Sequence, residues 1–191
     1  MSDPLRALPN ALSGLRLLLS VPVAWAIQHQ ASHVALLLLV TAGVTDVLDG
    51  WLARRYGWQT EFGAFLDPAA DKVLMGTTFI VLAWTGHVAV WLAALVVGRD
   101  LLIAGGAIVY RLRYRPFVHA ATQLGKASTL VQMTLVVVVV AGIGLAPPYD
   151  RWTGWAALLL TGLVVVIAAG SGLDYVWTWG RRAWRDRGQP T

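Results

Sequence analysis

Six long apolar runs divide the chain, and short polar or Gly- and Pro-containing segments separate them. Each run is about as long as the 20 or so apolar residues that a helix needs to cross a bilayer. The pattern predicts an all-α integral membrane protein with six transmembrane helices. The runs lie near residues 11–28, 34–56, 64–85, 88–111, 126–146 and 153–179.

The composition supports a membrane protein. Hydrophobic residues make up 57% of the chain and charged residues only 13%, with a mean hydropathy of +0.62. A soluble domain would carry roughly a quarter charged residues. There are no cysteines, which excludes disulfides and thiolate metal sites. The N-terminus lacks a cationic start and a cleavage site, so we do not expect a signal peptide.

The basic residues lie almost entirely on one side of the predicted helices. The connections near 29–33, 86–87 and 147–152 hold a single Lys or Arg, which is Arg151. Because Lys and Arg accumulate on the cytoplasmic side, we expect both termini to be cytoplasmic. The basic residues of the opposite side are Arg6, Arg54, Arg55, Arg111, Arg113, Arg115, Lys126, Arg181, Arg182, Arg185 and Arg187.

Four aspartates interrupt the apolar pattern where the second run ends and the third begins. Asp46 and Asp49 are three residues apart, so they share one face of a helix. Asp67 and Asp71 are four apart and do the same on the next helix. A lipid-facing aspartate costs about 2.5–3.5 kcal/mol at a helix centre, which favours an interior position. A short inner connection joins the two helices, so we expect both pairs to converge near the cytoplasmic face.

Converging carboxylates repel one another, so either several are protonated or cations neutralise them. Hard divalent ions such as Mg²⁺ or Mn²⁺ bind carboxylate oxygens, and four carboxylates can bridge two ions. Such a two-metal site stabilises the attacking and leaving oxygens of a phosphoryl displacement. Arg54 and the small residues Gly50 and Gly63 nearby fit a phosphate-containing ligand. The start of the third helix, near Pro68, would point its dipole at the same place.

Other interpretations of the aspartates stay open at this point. The carboxylates could form a network with Lys72 and Arg54 that only locks the helices together. The chain could also be a small membrane cation transporter whose carboxylates form the ion path. A transporter predicts further acidic or polar residues deep in the outer halves of the helices, and the sequence shows none there.

The same residues resemble the signature of the CDP-alcohol phosphatidyltransferase family. That signature is Asp-x2-Asp-Gly-x2-Ala-Arg, eight or nine residues, then Gly-x3-Asp-x3-Asp. Every position of it is filled between residues 46 and 71, and "PNALSGLR" resembles the family's entry into its first helix. The resemblance implies a single transmembrane domain of this family over residues 1–191. The signature residues are Asp46, Asp49, Gly50, Ala53, Arg54, Gly63, Asp67 and Asp71.

The resemblance implies transfer of a phosphatidyl group from CDP-diacylglycerol to an alcohol, with release of CMP. It implies that Asp46, Asp49, Asp67 and Asp71 hold two divalent cations, Mg²⁺ or Mn²⁺. It assigns Asp71 as the base for the attacking hydroxyl. The residues that it assigns to the cytidine diphosphate are Gly50, Arg54 and Gly63.

The acceptor alcohol is less clearly indicated. "GRDLLIAGGAIVYRLRYRP" and "GKASTLVQ" resemble elements of the cardiolipin synthases in this family, which use phosphatidylglycerol. Phosphatidylglycerophosphate synthases usually have Glu and Lys where this chain has Asp100 and Ser128. We therefore prefer phosphatidylglycerol as acceptor and keep glycerol 3-phosphate as the alternative. The candidates for contact with an acceptor or its phosphate are Arg16, Arg99 and Lys126. Arg16 could instead meet an aspartate, and Arg99 could instead pair with Asp100 or a neighbouring carboxylate in a purely structural role.

The expected surroundings follow from the same resemblance. We expect a homodimer, embedded in the membrane, with no nucleic-acid partner. The active site should face the cytoplasm from a bacterial plasma membrane, or lie in the mitochondrial inner membrane if the source is a eukaryote.

Overall fold

The computed structural model describes residues 8–58, 61–113, 123–145 and 149–186, which form six helices and no strand. The predicted number of helices is confirmed, and most of the predicted ends agree within a few residues. The sixth helix is the exception, because it continues to Asp186. The helices are α1 (Leu8–Gln28), α2 (Ser32–Tyr56), α3 (Glu61–Trp84), α4 (Val90–Arg113), α5 (Gln123–Gly142) and α6 (Tyr149–Asp186).

Short connections reverse the direction of the chain between the first four helices. α2 ends at Gly57, whose φ of 67° is left-handed and whose N–H bonds to the carbonyl of Ala53. Such a C-terminal cap favours glycine, because a Cβ is strained in that conformation. Gly86, with φ of 78°, has the same role between α3 and α4. Short connections of this kind return the chain beside itself, so the end of α2 lies next to the start of α3.

α1 packs against both α2 and α3, while α5 packs mainly against α6. α2 and α3 also contact α5, and α4 contacts α3 and α6, which closes the bundle. A continuous apolar core runs through it and includes Val23, Leu39, Phe79, Leu92 and Val140. The acidic residues lie between α1, α2 and α3, near one end of this core.

The outward surface is strongly apolar. Leu18, Val21 and Leu159 are about 70% exposed (71%, 70% and 73%), which is typical of side chains that face lipid. In the described part of the chain, three helical segments are long and apolar enough to cross a bilayer: Leu8–Gln28, Ser32–Ala53 and Arg151–Gly172. α5 has a shorter apolar stretch, Ala127–Gly142. The chain is a membrane protein, and the crossing by all six helices stays a prediction.

Candidate functional site

Two helices, α2 and α3, bring three of the four signature aspartates together. Asp46 and Asp49 lie one turn apart on α2, about ten residues before its end, and Asp67 lies in the second turn of α3. One carboxylate oxygen from each of the three lies within 4.8 Å of the others. Asp49 is buried, whereas the side chains of Asp46 and Asp67 are 49% and 40% exposed. We call Asp46, Asp49 and Asp67 the acidic cluster.

Arg16 of α1 enters the acidic cluster. Its side chain is only 1% exposed, and its Nη1 lies 2.7 Å from Asp46 Oδ1. Its Nη2 lies 2.5 Å from Asp49 Oδ2 and 3.1 Å from Asp67 Oδ1. One guanidinium thus pairs with all three carboxylates. Arg16 was a sequence candidate for a phosphate or an aspartate, and the structure places it on the aspartates.

Ser13 also contacts the cluster, and the sequence analysis missed it. Its hydroxyl lies 3.5 Å from Asp49 Oδ2 and 3.4 Å from Asp67 Oδ1, besides donating to the carbonyl of Pro9. The available signal was its spacing, because Ser13 lies three residues before Arg16 and therefore on the same face of α1. α1 contributes both a cation and a hydroxyl donor to the site.

Asp71 lies outside the acidic cluster but next to it. It lines a small cavity, partly open to the outside, together with Arg16 and Asp46. Asp46, Lys72, Arg16 and Asp100 are the charged groups that act most strongly on its carboxylate. The structure therefore gathers three of the predicted four carboxylates and places the fourth on the wall of the adjoining cavity.

The rest of that cavity is apolar. Its apolar walls come from α2, α3 and α5. Charged and apolar side chains therefore line the same cavity. Such a lining suits a ligand with an anionic head and an apolar tail. The apolar lining residues are Leu39, Ala42, Gly43, Leu74, Met75, Met133, Val136 and Val137.

The other nucleotide-site candidates are only partly described. Gly50 follows Asp49 directly and Gly63 lies one turn before Asp67, and both are half-buried. Gly63 makes a further polar or electrostatic contact. The side chains of Arg54 and Lys126 lie outside the described residues, so their predicted roles stay predictions.

Arg99 does not face the acidic cluster or line the cavity. Its Nη1 lies 2.7 Å from Asp100 Oδ1 and its Nη2 donates to the hydroxyl of Ser171 on α6. Lys72 of α3 pairs with the other oxygen of Asp100 at 2.8 Å. These four residues form a second polar group, which we call the Arg99 network. The structural alternative that the sequence left open for Arg99, pairing with Asp100, is the arrangement seen here.

One electrostatic expectation changes with the observed start of α3. The sequence placed that start near Pro68, so that the helix dipole would point at the carboxylates. α3 begins at Glu61 instead, and Pro68 lies inside the helix. Because the dipole effect is confined to the first turn, it does not act at Asp67. Arg16, and not a helix end, supplies the positive charge beside the cluster.

The donor set fits a hard divalent cation. All the clustered ligand atoms are carboxylate oxygens, which Mg²⁺ and Mn²⁺ prefer. Arg16 offsets one of the three negative charges, so the cluster keeps a net charge of −2 (1 − 3). The buried Oδ1 of Asp49 has no hydrogen-bond partner among the described residues. A cation would supply the partner that this oxygen lacks.

The bundle and the site define a class of protein: an α-helical membrane protein with a carboxylate-rich site beside an apolar cavity. Comparison with known families is more specific. The family model described as CDP-alcohol phosphatidyltransferase matches residues 6–165. The chain belongs to the CDP-alcohol phosphatidyltransferase family, and the predicted membership is confirmed.

Several curated proteins are similar over most of the chain. The probable phosphatidylglycerophosphate synthase of Mycobacterium tuberculosis (strain CDC 1551 / Oshkosh) is 36% identical over 188 residues, which cover 95% of this chain and 83% of that protein. The probable cardiolipin synthase (CMP-forming) of Drosophila melanogaster is 34% identical over 194 residues, with 91% of this chain but only 58% of that protein covered. The CDP-diacylglycerol–glycerol-3-phosphate 3-phosphatidyltransferase of Escherichia coli (strain K12) is 34% identical, with 82% and 81% covered.

Proposed function

We propose that this protein transfers a phosphatidyl group from CDP-diacylglycerol to an alcohol and releases CMP, in a metal-dependent reaction. The observation that carries the proposal is the acidic cluster beside a largely apolar cavity, built from residues of a complete family signature. The names of the relatives describe reactions of this kind.

Asp46, Asp49 and Asp67 would hold the metal ions, with Asp71 completing the set from the cavity wall. Mg²⁺ or Mn²⁺ bound there would neutralise charge on the pyrophosphate and on the CMP that leaves. The proposal of two ions rests on four carboxylates in the signature. The net negative charge of the cluster and the unpartnered Oδ1 of Asp49 support at least one.

In the transfer, the acceptor hydroxyl oxygen bonds to the phosphorus that carries the diacylglycerol. The bond from that phosphorus to the bridging oxygen breaks, and CMP leaves with that oxygen. We assign the hydroxyl proton to the carboxylate of Asp71. Its place on the cavity wall supports this role, because a base must reach the hydroxyl from the ligand side. Gly50, Arg54 and Gly63 are proposed to contact the cytidine diphosphate.

The apolar part of the cavity supports a lipid substrate. Acyl chains can remain in the bilayer against the exposed apolar faces of the helices, while the charged head reaches the carboxylates beside the cavity. The site also lies close to one end of the bundle. Asp67 lies six residues after Glu61, so it is about 9 Å from the start of α3 along the helix axis. A water-soluble nucleotide group can approach from that side.

We prefer phosphatidylglycerol as the acceptor, with glycerol 3-phosphate as the alternative. Glycerol 3-phosphate carries about two negative charges and needs strong cationic partners. Arg99 pairs with Asp100 and Ser171, so it offers little to a second phosphate. Lys126 stays a candidate contact. The relatives include proteins named for each of the two reactions.

A cation transporter is less well supported. A transporter needs charged or strongly polar groups along a path through the whole bundle. Among the described residues, the most deeply buried charged side chains are Arg16 and Asp49, which lie at the site, and Arg99, which is 7% exposed and paired with Asp100. The buried polar residues nearer the other end, such as Ser20, Ser32 and Thr78, are neutral.

We further propose six transmembrane helices in a single domain over residues 1–191, with both termini and the site on the cytoplasmic side. The asymmetry of Lys and Arg supports this orientation. In a bacterium the membrane would be the plasma membrane, and in a eukaryote the mitochondrial inner membrane. A homodimer is part of the proposal by analogy with the family.

A single assay tests the reaction, the metal and the acceptor. Purified protein in lipid nanodiscs is given CDP-diacylglycerol with either phosphatidylglycerol or glycerol 3-phosphate, and CMP release and lipid product are measured. We expect product with phosphatidylglycerol, no turnover in EDTA, and recovery on adding Mn²⁺ or Mg²⁺. Full turnover in EDTA would contradict the metal dependence. Product from glycerol 3-phosphate alone would reverse the preferred acceptor.

A further inference from the structure

We propose that Arg16 competes with the divalent cation for the carboxylates of the acidic cluster and thereby sets the metal affinity of the site. The inference rests on the proposed metal-dependent function, and it concerns a residue of α1 that lies outside the aspartate signature. Its basis is that one buried guanidinium contacts the same three side chains that would ligate the metal.

The contacts of Arg16 use oxygens that a metal ion would need. Its two terminal nitrogens lie between 2.5 and 3.1 Å from one oxygen each of Asp46, Asp49 and Asp67. Mg²⁺ requires its oxygens at about 2.0–2.1 Å in near-octahedral geometry. Six oxygens are available from three carboxylates, and Arg16 engages three of them. Each aspartate keeps one oxygen free of Arg16, so a cation displaces part of the guanidinium where it takes the second oxygen of a carboxylate, and it repels the guanidinium across the shared carboxylates in every case.

The charge balance also favours replacement of Arg16 by metal ions at the carboxylates over binding of both at once. Two divalent ions and four carboxylates, with Asp71 included, balance without any further cation (4 − 4 = 0). Arg16 would then be a surplus positive charge inside the bundle. A buried charge without a partner is strongly disfavoured. Binding of the ions and pairing of Arg16 with the cluster are therefore expected to oppose each other.

Arg16 has a place to which it can move. It lines the cavity beside Asp46 and Asp71. Its Nε is buried and lacks a hydrogen-bond partner in the described part of the chain. A modest rotation of the side chain would turn the guanidinium from the aspartates toward the cavity, where the anionic head of a substrate would lie. The guanidinium that leaves the carboxylates would then meet a phosphate instead of lipid.

The experiment compares metal binding by the wild-type protein, Arg16→Gln and Arg16→Lys in nanodiscs. Free Mn²⁺ is measured by electron paramagnetic resonance, and thermal unfolding is followed in EDTA and in Mn²⁺. We expect Arg16→Gln to bind Mn²⁺ about fivefold more tightly or better, since allosteric couplings of this size are common. Its Tm should fall in EDTA, where the carboxylates lose their counter-ion, and recover in Mn²⁺. Arg16→Lys keeps a cation with fewer donors and should lie between the two.

Arg99→Gln is the matched control. It removes another largely buried guanidinium, with 7% exposure, that pairs with Asp100 and not with the acidic cluster. The Tm of this variant should fall by the same amount in EDTA and in Mn²⁺. Its affinity for Mn²⁺ should equal that of the wild type.

Three results would overturn the inference. Weaker Mn²⁺ binding by Arg16→Gln would make Arg16 a permanent support of the ligands, and unchanged binding would make it a simple helix tie. If Arg16→Gln does not fold, weaker binding by Arg16→Lys decides in the same way. If neither the wild type nor any variant binds Mn²⁺, the proposed metal site itself fails together with this inference. If the wild type binds Mn²⁺, the metal site stands, and the other results then contradict only the inference about Arg16.

Discussion

Two groups of charged side chains lie inside the helix bundle, and they differ in whether the protein itself pairs all the buried carboxylate oxygens. The acidic cluster sets three carboxylates against Arg16, which leaves a net charge of −2 (1 − 3). The Arg99 network sets Lys72 and Arg99 against Asp100, which leaves +1 (2 − 1). Both oxygens of Asp100 are paired, whereas the buried Oδ1 of Asp49 has no partner among the described residues.

This difference separates a site from a structural tie. The Arg99 network joins α3, α4 and α6 through short contacts. Both oxygens of its carboxylate are paired, although the buried Nε of Arg99 has no hydrogen-bond partner among the described residues. The acidic cluster joins α1, α2 and α3, but its internal partners are too few for its charge. Buried charges persist when they are paired or bind metal ions. The incomplete group is therefore the one that we expect to respond to an added cation.

Asp49→Asn should have the largest effect, because it alters the buried carboxylate at the centre of the acidic cluster. Asparagine keeps the size of the side chain but removes a charge and one anionic ligand. We expect Mn²⁺ affinity to fall about 100-fold or more, since even outer-shell changes cost 10–100-fold. CMP release should fall at least as much. Mn²⁺ affinity equal to that of the wild type would remove Asp49 from the metal site.

Asp71→Asn tests the carboxylate that lies on the cavity wall. If Asp71 takes the hydroxyl proton, turnover should fall by roughly 10²-fold or more while CDP-diacylglycerol still binds. Because Asp71 lies outside the acidic cluster, its loss should weaken Mn²⁺ binding less than the loss of Asp49. Turnover and equilibrium binding of CDP-diacylglycerol measure the two effects separately. Unchanged turnover would exclude Asp71 as the base.

The helices could be predicted from the sequence because long apolar runs and basic ends mark them directly. The pairing of aspartates on two helix faces followed from spacings of three and four residues. These are local relations along a single helix. They explain why the predicted six helices are confirmed and why all four aspartates were expected near one another, of which the structure brings Asp46, Asp49 and Asp67 together.

The sequence left a phosphate or an aspartate as the partner of Arg16, and the choice between them depends on how α1 is rotated and shifted against α2 and α3. The same packing decides which of Asp67 and Asp71 reaches α2. Four residues along a helix turn the side chain by about 40° and raise it by about 6 Å, which is enough to put one in the cluster and the other on the cavity wall. Ser13 was missed for the same reason, since its spacing from Arg16 shows a shared helix face but only the packing of α1 against α2 and α3 shows which acidic partners its hydroxyl meets.

Asp100→Asn should have the smallest effect on the site and a clear effect on the fold. It leaves Lys72 and Arg99 without their shared carboxylate, and a lost hydrogen-bond partner to buried groups costs about 1–3 kcal/mol. Tm should therefore fall by the same amount in EDTA and in Mn²⁺, with Mn²⁺ affinity within about twofold of the wild type. Lys72 links the Arg99 network to the site. It follows Asp71 in the chain, and its charge, like that of Asp100, acts on the Asp71 carboxylate. A tenfold change in Mn²⁺ affinity would mean that Lys72, once released from Asp100, pairs with Asp71, and the two groups would then be one coupled network.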